Sequence, residues 1–330
     1  MLLIKRLAIC LYSLLMANTV LADAVFDDMD VRISLSTPAK RLVVLGPNLV
    51  ESLYAIDAGD YILAASEYSD YPDAAKAIPR VASHNIINYE MIVNLAPDLV
   101  MVWQSGFGVD AIAKLRSLGL TVYASEPHTL DDIEELLRDM GRLTGLNKEA
   151  EAASARYRKT LNQLQATYSH KETVSVFYQV WQEPMQTLNG DHVMNAAIEL
   201  CGGKNVFSAL PEIAPRVSIE SVIAANPEVI FSSGSNNQDA SELAHWQRWP
   251  MITAVQNKQV NFLQTDSLVR HAPRILEGAQ QLCELLESSR ELSGKSRELS
   301  GKHRELSGKS RELSDKNRGM QKHRVAARGY

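Results

Sequence analysis

The chain has 330 residues and holds 34 Lys and Arg against 39 Asp and Glu, a net charge of −5. Two basic residues lie in the first 22 positions, and 12 basic and five acidic residues lie in 288–330. Residues 23–287 therefore keep 20 basic and 34 acidic residues, a net of −14. A body this acidic repels a phosphate backbone and an anionic membrane surface, which excludes nucleic acid as an expected partner.

The first 22 residues have the features of a secretory signal peptide. Lys5 and Arg6 form a positively charged n-region, an apolar run occupies 7–16, and Ala22 suits a small-residue cleavage site. The apolar run is too short for a convincing membrane span. We therefore expect a mature protein outside the cytoplasm, in a bacterial periplasm.

Strand and helix patterns alternate along residues 23–145, the predicted N-terminal lobe. The patterns predict strands over 41–46, 61–66, 99–103 and 120–125, and helices over 48–59, 108–119 and 129–145. Thr129 is the predicted N-cap of the last helix, and Gly145 its stop. Alternation of this kind indicates an α/β lobe with a mainly parallel sheet.

The segment SEYSDYP (66–72) is predicted to be a loop. Pro72 cannot continue a helix, and Tyr71 before it is pushed towards extended geometry. The loop therefore presents aromatic rings, of Tyr68 and Tyr71. From this stretch alone the rings could form a ligand platform, or they could hold the loop to its own lobe.

A duplicated motif relates the two halves of the body. YEMIVNLAPDLVMV (89–102) and IESVIAANPEVIFS (219–232) each contain Glu, an apolar helical turn, Pro, an acid and an apolar strand, at an offset of 130. The duplication predicts a second α/β lobe over 171–287. We also expect a parallel-type strand after each proline.

A single long helix is predicted over 146–170, since residues 147–170 contain no Gly or Pro. At 1.5 Å per residue it would be about 35 Å long. We therefore expect two Rossmann-like lobes joined by one backbone helix, with a ligand cleft of nearly fixed width between them.

Cys201 and Cys283 are the cysteines that remain after signal removal. In an oxidising compartment such a pair indicates a disulfide, and two buried thiols are the alternative. CGGKN (201–205) is predicted to be a turn in which Gly202 and Gly203 cap the preceding helix.

Residues 288–330 are predicted to be a disordered, low-complexity tail of RELSGKS-type heptads. Each heptad has one leucine where a coiled coil needs two apolar positions, and glycines recur inside the would-be helix. A weak partner-binding segment is the alternative.

Enzymatic and metal-binding signatures are missing from the sequence. It has no G-x-S-x-G motif, no phosphate-binding glycine loop and no paired-cysteine motif, so we expect no catalytic residue. The histidines form no i, i+4 pair or dense cluster, so we expect no metal site of the zinc type.

Several segments resemble a known family: AKRLVVLGPN, YSDYP, NYEMIVNLAPDLV, ELCGGKNVF, VSIESVIAANPEVI and APRILEGAQQLC. Over about 24–287 the chain resembles the periplasmic cobalamin-binding component of vitamin B12 ABC importers. That component belongs to the rigid, helix-bridged class shared with siderophore, haem and some metal carriers. The resemblance implies a protein that captures cobalamin or a related corrinoid and delivers it to an importer in the inner membrane. A haem or ferric-siderophore carrier of the same class is the alternative. The corrinoid would be transported, so no cofactor is expected.

The resemblance also implies which residues contact the ligand. The YSDYP loop lines the cleft in this family, so Tyr68 is expected against the flat corrin, whereas Tyr71 is expected to pack inward. Further expected contacts, at strand ends and on the cleft rim, are Trp103, Gln104, Trp181, Gln182 and Asp266.

His84 stands where the best-known family members have a cleft tryptophan. It could hydrogen-bond within its loop, contact the ligand, or coordinate the metal of haem or of a corrinoid that has lost its lower base. Ala214 and Ser267 replace two further expected tryptophans. The site is therefore expected to be less aromatic and more polar than in those members.

Glu90 and Glu220 occupy equivalent positions in the duplicated motif. In the resembling family, glutamates at these positions meet arginine pockets on the permease as charge-assisted pairs. We therefore expect a free monomer that docks through Glu90 and Glu220 on an inner-membrane permease dimer with its ATPase subunits.

Overall fold

The computed structural model describes residues 24–83, 86–234, 242–292 and 294. The chain forms two compact units. Unit 1 comprises the residues up to Thr160 together with Arg270–Pro273, and unit 2 comprises Leu161–Val269 and the residues from Arg274 onward. The predicted signal peptide lies outside the described residues.

Unit 1 is built on a parallel sheet. Its strands are β1 Val25–Phe26, β2 Arg32–Ile33, β3 Leu42–Leu45, β4 Ile62–Ser66, β5 Arg80–Ala82, β6 Leu99–Trp103 and β7 Val122–Ser125. β1 and β2 pair with each other, and the others form one parallel sheet in the order β5-β4-β3-β6-β7. β3 is buried at every position, as expected for a strand covered on both faces.

The helices of unit 1 alternate with its strands. They are α1 Pro47–Ala55, α2 Tyr89–Asn94, α3 Gln104–Phe107, α4 Val109–Ser117, α5 Leu130–Thr144 and α6 Asn147–Tyr168, with 3-10 turns at Gly59–Tyr61 and Asp73–Ala77. The division between the units falls within α6, after Thr160. The predicted alternation of strands and helices is confirmed.

Local signals define both ends of α5. The Thr129 side chain accepts a hydrogen bond from the Asp132 N–H, the Asp132 carboxylate accepts one from the Thr129 N–H, and Gly145 is left-handed with φ 75°. The predicted cap and stop are confirmed. In contrast, α1 ends at Ala55 and not at the predicted residue 59, because Asp57 adopts φ 60°, which a continuing helix does not allow.

Helices α5 and α6 lie close together at one point. A Cβ at position 141 would come within 2.3 Å of the Ala150 Cβ, so only glycine fits there. Further along the pair, Arg158 of α6 forms ion pairs with Asp131 and Glu134 of α5. Gly141 and these ion pairs hold the N-terminal part of α6 against unit 1.

Unit 2 contains a second parallel sheet. Its strands are β8 Val174–Tyr178, β9 Trp181–Gln182, β10 Met185–Gln186, β11 Gly203–Asn205, β12 Val229–Gly234 and β13 Val260–Gln264. The parallel sheet has the strand order β11-β8-β12-β13. The other two strands, β9 and β10, form a small antiparallel hairpin.

The helices of unit 2 complete the α/β pattern. They are α7 Val193–Leu200, α8 Ile219–Ala225, α9 Thr253–Gln256 and a C-terminal helix α10 over 275–292, with 3-10 turns at Glu242–Arg248 and Ser267–Val269. Two α/β units with parallel sheets agree with the predicted fold class. No helix in the described part of the chain is both long enough and apolar enough to span a membrane.

The duplicated motif has the same hydrogen bonds in each unit. Asn88 and Ser218 are N-caps, and each side chain accepts from the backbone N–H three residues later, at 2.9 and 3.2 Å. Asp98 accepts a hydrogen bond from the Lys40 N–H just before β3, and Glu228 accepts one from the Ser175 N–H at the start of β8, both at 2.8 Å. Capping and strand attachment therefore explain why both copies keep these residue types.

The Cys201–Cys283 disulfide is confirmed, with a Cα–Cα distance of 4.6 Å. It joins the end of α7 to α10 within unit 2. Gly202 adopts φ 69°, as its predicted capping role requires. The prediction for Gly203 was wrong, because this residue begins β11 and pairs with Val174.

Helix α10 continues beyond residue 287, where the disordered tail was predicted to begin. Residues 288–292 are helical, and Arg290 donates hydrogen bonds to the backbone carbonyls of Glu172 and Cys201, both at 2.6 Å. Arg290 also pairs with Glu287 at 3.0 Å. These contacts extend the helix into the first heptad. Apart from residue 294, the remainder of the predicted tail lies outside the described residues.

Candidate functional site

The candidate site of unit 1 begins at the carboxyl-end edge of its parallel sheet. Ser66 ends β4, Trp103 ends β6 and Ser125 ends β7, and Trp103 is the direct neighbour of Ser125 in the sheet. Parallel strands end at one edge, and open α/β sheets bind ligands at this edge. Of the predicted contacts, Trp103 is the last residue of β6 and Gln104 comes directly after it.

Tyr68 lies in the loop after β4 and is 71% exposed, with φ 63°. A left-handed backbone is uncommon for a residue with a bulky side chain. The loop is held through other atoms: Arg270 donates to the Tyr68 carbonyl at 3.2 Å and pairs with Asp70 at 3.4 Å. Arg80 donates to the Ser69 carbonyl at 2.6 Å. The Tyr68 ring is therefore not what holds the loop in place, and it is accessible to a ligand.

Tyr71 was expected to pack inward, and this prediction was wrong. Its side chain is exposed, at 43%. The loop turns after it through a cis Tyr71–Pro72 bond. Arg80 and Arg270 donate hydrogen bonds to the loop backbone and so attach this segment to unit 1.

Trp103 is half-buried and tightly surrounded. Its ring packs edge-on against His271, with centroids 5.4 Å apart at 69°. A Cβ at Gly106 would come within 2.4 Å of the Trp103 ring, and one at Gly46 within 2.9 Å of the Trp103 Cβ. Two glycines are therefore required to place this ring at the end of β6.

The start of α3, next to Trp103, is fixed by a buried acid. Glu126, which is 8% exposed, accepts a hydrogen bond from the Ser105 N–H at 2.6 Å. This bond satisfies an N–H group at the beginning of a short helix. Gln104, the first residue of α3, is half-buried beside it.

Arg270 and His271 are site residues that the sequence reasoning missed. They link the Tyr68 loop to Trp103 in the site of unit 1, since Arg270 binds the Tyr68 loop and its neighbour His271 contacts Trp103. Both come from a short segment that joins unit 1 although its flanking residues belong to unit 2. The basic residues after Asp266 in TDSLVRH are a weak signal, and nothing local in them indicates a return to the first unit.

Trp181 and Gln182 form β9 in the hairpin of unit 2. Trp181 is 55% exposed, and its indole Nε1 donates to the Glu183 carbonyl at 3.0 Å. Trp246, in contrast, is fully buried and donates to the Gln179 side chain at 2.8 Å. Trp246 is therefore a core residue, whereas Trp181 presents its ring at the surface.

Asp266 lies just after β13, also in unit 2. Its carboxylate pairs with Arg274 at 3.4 Å, and both side chains are largely shielded from solvent. Ser267 beside it is buried, and its hydroxyl lies 2.7 Å from that of Thr265. The acid is thus held by a cation of its own unit.

His84 lies outside the described residues. Among the residues that the structure does describe, no group of three or more His, Cys, Asp or Glu is placed to hold a metal ion.

The two predicted docking acids are both exposed. Glu90 is on the first turn of α2 and lines a surface depression of about 270 Å³ with Asn88, Met91, Asn94 and Leu95. The pKa of Glu220 is lowered by hydrogen bonds to its carboxylate from the Glu220 backbone N–H and from the Ser218 side chain. Glu220 therefore presents a carboxylate that stays ionised at neutral pH.

Comparisons with known proteins place these observations in a family. The model of the periplasmic binding protein family matches residues 42–266. A vitamin B12-binding protein of Vibrio cholerae is 38% identical over 252 residues, which are 76% of this chain and 90% of that protein. One from Vibrio parahaemolyticus is 34% identical over 251 residues, 76% of this chain and 90% of that protein. The crystal structure of the periplasmic vitamin B12 binding protein BtuF of Vibrio cholerae matches with a TM-score of 0.72 and 37% identity, over 77% of this chain and 98% of that one. The chain therefore belongs to the periplasmic binding protein family, which confirms the periplasmic location predicted from its sequence.

Proposed function

We propose that this protein captures cobalamin or a related corrinoid in the periplasm and delivers it to an ABC importer of the inner membrane. The observation that supports this most directly is the 38% identity, over 90% of the relative, to a protein named for vitamin B12 binding. The protein would bind and release the corrinoid unchanged, and it would act as a carrier without catalytic residues.

The site of unit 1 suits a wide, flat ligand. The exposed Tyr68 ring and the half-buried Trp103 ring offer apolar faces, and Gln104 adds an amide. A large macrocycle of low charge is held best by such faces together with a few polar groups that fix its orientation. Trp181, Gln182 and Asp266 of unit 2 are proposed as further contacts.

Delivery is proposed to use Glu90 and Glu220. Both are exposed acids on the first turn of a short helix, and both follow an N-cap residue in the duplicated motif. An exposed carboxylate suits a transient, charge-assisted contact with arginine. The partner would be the permease dimer with its ATPase subunits, and the free protein would be a monomer.

Optical titration of the purified mature chain tests the ligand. We expect one-to-one binding of cyanocobalamin or cobinamide, and no comparable binding of haemin or a ferric siderophore. Tyr68→Ala should weaken corrinoid binding, whereas Phe26→Ala, which removes another exposed aromatic ring of unit 1, should not. Tight binding of haemin with no response to any corrinoid would replace the proposed ligand by the alternative of the same class.

A further inference from the structure

Four neighbouring strands of unit 1 end at buried polar groups that lack a hydrogen-bond partner among the described residues. The strands are β4, β3, β6 and β7, which are adjacent in the sheet. Buried polar groups are nearly always paired, and those that are not require an explanation. The atoms are Ser66 Oγ, Asn48 Oδ1 and Nδ2, Trp103 Nε1, Gln104 Oε1 and Ser125 Oγ.

Asn48 is the most informative of these residues. It is 3% exposed, it lies at the second position of α1 just after β3, and both polar atoms of its amide are without a partner among the described residues. A Cβ at Gly46 would lie 2.9 Å from the Asn48 Oδ1 and also 2.9 Å from the Trp103 Cβ. The Asn48 Oδ1 and the Trp103 Cβ therefore both border the position that a Cβ of Gly46 would take, which places the Asn48 amide near the candidate site.

An amide with both atoms unpaired limits the chemistry of its partner. The partner must accept a hydrogen bond from Nδ2 and donate one to Oδ1. Exchanging the oxygen and the nitrogen of Asn48 leaves this requirement unchanged. A carboxamide meets it with two reciprocal hydrogen bonds, whereas a carboxylate accepts only and would leave Oδ1 unpaired.

We propose that Asn48 is a specificity-determining residue that pairs with a peripheral carboxamide of the corrinoid. The inference rests on the proposed function, and it also distinguishes the two ligand classes considered above. The rim of a corrin bears carboxamides, whereas the rim of haem bears carboxylates. The neighbouring Trp103 Nε1, a donor, and Gln104 Oε1, an acceptor, would extend the same recognition along the edge.

Asn48→Ala tests the proposal with two independent measurements. Binding of cyanocobalamin should weaken about tenfold or more, since two hydrogen bonds of ordinary strength are lost. The thermal midpoint of the ligand-free variant should stay the same or rise, because an unpaired buried amide has been removed. A structural asparagine would give the opposite result: a lower midpoint with unchanged affinity. Asn162→Ala, on the exposed face of α6, is the matched control and should change neither affinity nor midpoint.

Asn48→Asp provides a second measurement if the alanine variant folds poorly. Aspartate keeps the shape and the acceptor but loses the donor, so cyanocobalamin affinity should again fall at pH 7. If the wild type binds cyanocobalamin and Asn48→Asp binds it within twofold of the wild type, Asn48 does not pair with the ligand. If the wild type binds no corrinoid at all, the proposed function itself fails.

Discussion

The Cys201–Cys283 disulfide should dominate the stability of unit 2. It links positions 82 residues apart, and both cysteines are fully buried. For a loop of this length, the chain-entropy estimate gives a stabilisation of about 4.5 kcal/mol. With an m-value of about 3 kcal/mol/M, suited to a large chain, removal of the link should lower the urea midpoint by about 1.5 M.

The assay is urea unfolding of the Cys201→Ala, Cys283→Ala double variant. Three of the four tryptophans lie in unit 2, and fully buried Trp246 reports directly on its unfolding. The m-value should increase as well, because an unfolded chain without the link exposes more surface.

Reduced wild-type protein separates the effect of the link from the effect of packing. If the link acts through the unfolded state, reduction and the double substitution should lower stability by similar amounts. A loss below about 1 kcal/mol, with an unchanged m-value, would refute the chain-entropy argument. A much larger loss in the double variant than on reduction would assign the effect to lost side-chain packing.

Three further predictions concern the site, the docking acids and a buried carboxyl. Trp103→Ala should weaken corrinoid binding by about 1–3 kcal/mol in calorimetry if the Trp103 ring is buried against the ligand. If the variant binds with wild-type affinity, Trp103 does not contact the ligand. The Glu90→Ala, Glu220→Ala double variant should bind the corrinoid normally but fail to stimulate uptake in reconstituted vesicles, and high salt should imitate it by screening; full uptake would exclude docking through these acids. Burial raises the pKa of Asp139, so this group favours folding most at acid pH and loses that contribution as the pH rises through its folded-state pKa. In urea unfolding, the stability of Asp139→Asn minus that of the wild type should therefore increase as the pH rises from 3.5 to 7. A stability difference that does not depend on pH would contradict the raised pKa of Asp139.

Much of the architecture could be predicted because its signals are local. The ends of α5 depend on a capping threonine and a left-handed glycine that lie next to the helix they delimit. The duplicated motif could be identified because its residue types recur at an offset of 130, and the structure gives Asp98 and Glu228 the same attachment of strand to strand in each copy. Neighbouring residues and a regular offset are visible in a linear sequence, so the fold class followed from them.

Tertiary structure alone decided the features that depend on which residues meet across the chain. No local pattern distinguishes buried Trp246 from exposed Trp181. The indole of Trp246 donates to a side chain 67 positions away, whereas the indole of Trp181 donates to a carbonyl within its own hairpin. The arginine that holds the Tyr68 loop is 202 residues away, in a segment that returns to unit 1. That the Asn48 amide has no hydrogen-bond partner among the described residues is likewise visible only in the folded chain, where four strand ends lie side by side. Periodicity and capping reflect the conformational preferences of short segments, so they can be read from neighbouring residues. Burial and hydrogen-bond pairing depend on packing between residues far apart in the sequence, so they require the tertiary structure.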